Sequence, residues 1–99
     1  MPSRKPKKII DALLKKGFVI KESDHHLFFF TDKNGNLVNA IRTKVSHDKK
    51  KDYDDFLLQA MKKQLKLDTL KDLLDLIDCP LTQEELRKKL QSKVNDKLL

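Results

Sequence analysis

Asn34-Gly35 stands between two β-rich runs, 26–31 and 37–45. Asn and Gly are the residues that most readily take the left-handed conformation a tight hairpin needs. Their position predicts that the two runs fold back on each other as antiparallel strands. Phe18-Val19-Ile20 is a third β-rich run, and Ser23-Asp24 supplies the turn between it and the second. The middle of the chain therefore reads as a three-stranded meander.

Helical spacing flanks it on both sides. Ile9, Ile10, Leu13 and Leu14 repeat at the helical period, Pro6 suits a first turn, and Gly17 suits the position just past the end. This predicts a helix over about 6–16 with Lys7, Lys8, Lys15 and Lys16 in water, and Phe18 folding back on its end. After Asp52, the residues Tyr53, Phe56, Leu57, Ala60, Met61 and Leu65 fall on one helical face. Asp52 is the expected cap of that helix, with Asp54 and Asp55 in its first turn. The order is α-β-β-β-α in about 67 residues, an α+β unit. A lone three-stranded sheet with two wet faces is marginal, so both helices must cover one face.

Beyond residue 67 the pattern is all helical. Leu70, Leu73, Leu74 and Ile77 predict a third helix capped by Thr69, and Asp78-Cys79-Pro80 ends it. Thr82 with Glu85 is a capping box that opens a fourth helix bearing the stripe Leu86, Leu90, Val94 and Leu98. The expected organisation is a domain over 1–67 and a two-helix extension over 68–99. That extension either folds back on the core or pairs with a second copy as a homodimer.

Composition narrows the function. The chain has 99 residues, too few for a TIM barrel or a full dinucleotide-binding enzyme. The longest apolar run, Leu27 to Phe30, is too short to span a membrane, and the basic start does not read as a secretory signal. One cysteine, Cys79, allows neither an internal disulfide nor a cysteine-built metal site; beside Pro80 it reads as a small buried side chain. A cytoplasmic setting follows. The formal charge is +7, and its excess is one-sided: residues 1–51 hold thirteen basic and five acidic side chains, the rest nine and ten. A positive field of that kind attracts phosphate polyanions or an acidic protein partner.

No cofactor is expected. Gly17 and Gly35 are the only glycines, so there is no Gly-rich phosphate loop. No paired carboxylates or serine triad can be argued. His25 and His26 are adjacent on a strand and point to opposite faces, which argues against a shared metal ion. The same alternation gives the second strand two stripes, His25-Leu27-Phe29 and His26-Phe28-Phe30. Leu27 with Phe29 is the expected inward pair. His26, Phe28 and Phe30 then form the outward stripe, joined by Arg42. Phe28 and Phe30 on that face imply a covering protein surface, own or foreign, or stacking on bases. A strand histidine suits acid–base work near neutral pH: RNA brings its own nucleophile, the 2′-hydroxyl, so one imidazole with nearby Lys or Arg is chemically sufficient.

Residues 7 to about 67 resemble the HicA family of toxin–antitoxin mRNA interferases. The resemblance is carried by residues 9–18 (IIDALLKKGF), by Ser23-Asp24 followed by His25-His26-Leu27, by Val45-Ser46-His47, and by residues 57–65 (LLQAMKKQL). It implies an α-β-β-β-α fold like a double-stranded RNA-binding domain, endoribonuclease activity on mRNA without a cofactor, and a HicB-like antitoxin partner. The family's catalytic histidine follows a Gly-Ser turn, which is Ser23-Asp24 here. Aligning on His-Leu selects His26, and counting from the turn selects His25 as runner-up. The family's second histidine matches His47. On this reading Lys7, Lys8, Arg42, Lys44, His47, Lys49, Lys50 and Lys51 bind RNA, and Phe28 and Phe30 form a partner interface. The alternative on the same fold is a non-catalytic nucleic-acid-binding or protein-interaction module.

Overall fold

The computed structural model describes residues 3–46, 51–78, 80–91 and 93. The elements follow in the order α1 (Pro6–Lys15), β1 (Val19–Glu22), β2 (His26–Thr31), β3 (Leu37–Val45), α2 (Asp55–Gln64), α3 (Leu70–Asp78) and α4 (Gln83–Gln91). The result is an α+β fold with a three-stranded antiparallel sheet in the order β1-β2-β3. Among the described residues no helix is long and apolar enough to cross a membrane.

Local chemistry explains most boundaries. Pro6 opens α1, where its missing N–H costs nothing. At the other end Gly17 takes φ +92° and the Phe18 N–H reaches back to the Leu13 carbonyl at 3.1 Å. That is a left-handed helix-ending motif with a buried apolar residue after it. The end of α2 repeats the same motif with Lys66 in the glycine position: φ is +63°, and the Leu67 N–H reaches the Lys62 carbonyl at 3.0 Å. The cap of α2 is Asp54, whose carboxylate accepts from the Leu57 N–H at 3.0 Å, rather than Asp52. Tyr53 explains the difference. It pairs its backbone with Arg4 and its hydroxyl accepts from the Ser46 N–H, which holds 53 extended until Asp54. Thr69 caps α3 through the Asp72 N–H, and Thr82 with Glu85 forms the expected reciprocal box at α4.

The hairpin between β2 and β3 closes over residues 32–36. One oxygen of the Asp32 carboxylate accepts from the Asn34 and Asn36 N–H groups at 2.8 and 2.9 Å, and Gly35 adopts φ +84°. The β2–β3 register then slips between Phe29 and Phe30: Phe29 faces Arg42 and Phe30 faces Val38. Residues 39–41 are therefore an insertion in β3 with no counterpart in β2, a bulge that bends the edge strand.

The faces of β2 are the reverse of those expected. Phe28 and Phe30 are fully buried in the core, with Ile9, Leu13, Ile41, Leu58 and others. Phe30 packs on Phe18 with ring centroids 5.0 Å apart, and the Arg87 guanidinium of α4 lies 5.0 Å from the Phe30 centroid. They are core residues, not an exposed partner interface. Leu27 and Phe29 lie on the outer face, Leu27 half-buried and Phe29 buried, with Lys21 over the Phe29 ring. A period-2 strand with two similar apolar pairs leaves its facing open from sequence. What decides between them is β3: Ile41, Thr43 and Val45 are buried while Arg42 and Lys44 are exposed, and the register sets Thr43 beside Phe28 and Arg42 beside Phe29.

The last two helices complete this core. Leu73, Leu76, Ile77, Leu86 and Leu90 are buried in the same cluster as the sheet's inner face. Burying a side chain of this size contributes about 1.5–3 kcal/mol. Arg4 and Lys8 both reach Asp78, at 2.7 and 3.1 Å, which ties the start of the chain to the end of α3. Val94, Leu98 and Cys79 lie outside the described residues.

Candidate functional site: a basic groove along the edge strand

β3 is an edge strand, and α2 packs beside it. Between them runs a groove of about 360 Å³ lined by His25, Lys44, Ser46, Lys51, Tyr53 and Gln64 among others. Each residue has a local reason to be there. The Ser23-Asp24 turn, closed by the Ser23 N–H on the His25 carbonyl at 3.1 Å, delivers His25 at the mouth of β2. The register that pairs His26 with Val45 sets His25 across from Ser46. Tyr53 anchors Ser46 through its hydroxyl, and Gln64 accepts from the Thr43 hydroxyl at 2.6 Å, fixing the last turn of α2 on β3.

Past Gln64 the surface opens into a second groove of about 550 Å³ on the outer sheet face. Leu27 and Phe29 form its floor, the bulge residues Asn39 and Ala40 one side, and Arg42, Lys44 and Lys66 supply its charge. Lys44 and Gln64 line both grooves. Among the described residues that line the two, five are cationic or protonatable (His25, Arg42, Lys44, Lys51, Lys66) and none is acidic. The chain as a whole carries fifteen Asp and Glu, so the absence of carboxylates among the described lining residues is local. A positive field of this kind attracts phosphate groups.

The two adjacent histidines have different surroundings. His26 lies on the helix-covered side of the sheet, its side chain 15% exposed, with Nδ1 2.7 Å from Glu22 Oε1. This is not the outward position expected for it, and the cause is the reversed facing of Phe28 and Phe30 on the same stripe. His25 is half-buried, lines the basic groove, and makes no side-chain hydrogen bond or ion pair among the described residues.

The structure thus gathers His25, Lys44, Lys51 and Arg42 on one connected surface. It does not gather Lys7 and Lys8 there. These line a separate groove on α1 with Asp11 and Asp78, and Lys8 is paired with Asp78. His47, Lys49 and Lys50 lie outside the described residues. Sequence reasoning missed Lys66, Gln64 and Tyr53. Lys66 carries no motif; its signal is the absence of a glycine at the end of α2, where the fold needs a left-handed residue. Phe56, expected on the packed face of α2, is 78% exposed one turn before Ala60, which lines the groove. Among the described residues no group of three His, Cys, Asp or Glu side chains could hold a metal ion. In comparisons with protein-family models, with curated proteins and with solved structures, the chain finds no match.

Proposed function

We propose that this chain binds RNA along the β3 edge and cleaves it as an mRNA interferase of the HicA kind, with His25 as the proton-transfer group. The observation that carries the reading is the groove itself: an imidazole at its mouth, lysines along its wall and no carboxylate in its described lining. The 2′-hydroxyl of bound RNA gives its proton to His25 and attacks the adjacent phosphorus. Lys44 and Lys51 offset the charge that builds on the phosphoryl oxygens; the O2′–P bond forms as the P–O5′ bond breaks, and the 5′-oxygen takes a proton from solvent water, leaving a 2′,3′-cyclic phosphate and a 5′-hydroxyl. The α1-β1-β2-β3-α2 order, with the helices on one sheet face, supports the double-stranded-RNA-binding-domain-like assignment. An antitoxin of the HicB kind would silence the protein by covering the groove.

A second reading, RNA binding without cleavage, is favoured by one specific observation. No side-chain hydrogen bond among the described residues holds the His25 ring, whereas a general base is ordinarily held by a further hydrogen bond. Incubation of a long RNA with the parent protein, His25→Ala and His26→Ala separates the readings. Cleavage lost in His25→Ala, with binding and melting temperature kept, supports the proposal. Cleavage lost only in His26→Ala moves the role to the Glu22-held imidazole. Tight, salt-sensitive binding with intact RNA throughout leaves the non-catalytic reading.

A further inference from the structure

Two helices of this protein end in the same way, and only one of them uses the residue that the ending favours. At the end of α1 the left-handed position is Gly17; at the end of α2 it is Lys66, with the same pair of backbone hydrogen bonds to the preceding turn. Glycine enters this conformation without steric cost, and a side chain with a Cβ does not. Strain held at one residue is a pointer to function when the side chain has somewhere to act. Lys66 has such a place: its side chain lines the outer-face groove together with Arg42 and Lys44.

That groove has the features of a phosphate subsite. Its charged lining is wholly cationic among the described residues, and the β3 bulge at 39–41 shapes one wall. It shares Lys44 and Gln64 with the His25 groove, so the two grooves adjoin at those residues. We propose that the outer-face groove bounded by Arg42, Lys44 and Lys66 binds the sugar–phosphate backbone flanking the His25 site, and that Lys66 is held in a left-handed backbone to serve it. The inference rests on the reading of the His25 groove as an RNA site, and it extends that site to a second backbone segment.

The test uses a labelled 2′-O-methyl oligoribonucleotide, which presents phosphates and cannot be cleaved through its 2′ position. Binding is measured across a salt series, and melting temperature is measured alongside, for the parent, Lys66→Gly, Lys66→Ala and Lys71→Ala. Lys71 is an exposed lysine of α3 paired with Asp75, away from both grooves, and controls for net charge. Lys66→Gly is expected to melt higher than the parent and yet bind several-fold more weakly. The slope of log affinity against log salt should fall by about 0.7, the value for one phosphate that is no longer neutralised. Lys66→Ala should lose affinity equally without the gain in stability. If the parent binds and Lys66→Gly matches the parent or Lys71→Ala in affinity and slope, the second subsite is wrong and the His25 reading stands. If Lys66→Gly binds weakly but melts no higher, the strain argument fails. If the parent does not bind at all, both proposals fall together.

Discussion

Gln83, the first residue of α4, packs against Gly17, the residue that ends α1: a Cβ placed on Gly17 would meet the Gln83 amide nitrogen at 2.5 Å and its carbonyl carbon at 2.9 Å. The helix that lies latest among the described elements is thereby seated on the turn that closes the first. Gly17 meets two demands at once, a left-handed backbone and room for Gln83. Its own carbonyl also accepts from the Thr31 hydroxyl at 2.8 Å.

Gly17→Ala should therefore destabilise the protein by about 1 kcal/mol or more, in contrast to the usual gain from Gly→Ala. The two causes can be separated. Gln83 is a flexible side chain whose end can swing away, whereas φ +92° cannot be relieved without undoing the helix ending. In a Gln83→Ala background the cost of Gly17→Ala should shrink but persist. Urea denaturation of the two single variants and the double variant measures the difference. A cost that vanishes in the double variant would mean that the clash alone mattered.

Phe30→Ala should cost about 3–5 kcal/mol, because it empties a site enclosed by Phe18, Val38 and the Arg87 guanidinium. Phe56→Ser should change stability by no more than about 0.5 kcal/mol, since that ring is already in water. The pair tests the facing of two aromatics that sequence pattern places wrongly. Comparable losses in both would contradict the packing described.

Elements were legible where a local signal acts alone. Asn34-Gly35, Pro6, Gly17 and the Thr82–Glu85 box each act within a few residues, and β2 and β3 begin and end where the sequence places them. The faces of β2 were not legible, because His26 to Phe30 is apolar on both stripes. The deciding facts are non-local: the register against β3, and the α4 residues Leu86 and Arg87 that cover the Phe28–Phe30 side. The expected outward facing of His26 shared that error, since His25 and His26 exchange places when the faces exchange. Arg42, Lys44 and Lys51 were identifiable as basic residues of the first half of the chain. Lys66 was not, because its place depends on how α2 ends.

Acid should loosen the tie between the chain start and α3. The Arg4 guanidinium, bonded through Nε and Nη2 at 2.9 and 2.7 Å, holds the Asp78 carboxyl below its usual range, and Lys8 adds to it. Hydrogen bonds from the Asn36 and Asn34 backbone do the same for Asp32. A carboxyl whose pKa is depressed by folding stabilises the fold above its unfolded pKa, near 3.8, and that contribution is lost as pH falls through the lower, folded value. Stability should thus drop below about pH 4. Asp78→Asn should be less stable than the parent at pH 7, by under about 1 kcal/mol because the pair is partly exposed, and should converge with it at about pH 2. Denaturation at the two pH values decides; an equal deficit at both would mean that Asp78 acts through packing rather than charge.

Lys44 is the cation that the two grooves have in common, so its removal should be felt twice. Lys51 lines only the His25 groove and Arg42 only the outer one. Lys44→Gln keeps most of the side-chain length and removes the charge. Lys44 is exposed at its place in β3, so the substitution should leave stability within about 0.5 kcal/mol of the parent. Its effect on RNA affinity should exceed that of Lys51→Gln or Arg42→Gln taken singly. Against Lys51→Gln plus Arg42→Gln the comparison is sharper. If phosphates thread both grooves, the double variant should lower the salt slope by about 1.4, two phosphates at ~0.7 each, and Lys44→Gln by about 0.7, one phosphate. A Lys44→Gln slope equal to the parent's would show that polyanions do not cross the Gln64 boundary, and the grooves would then be independent surfaces.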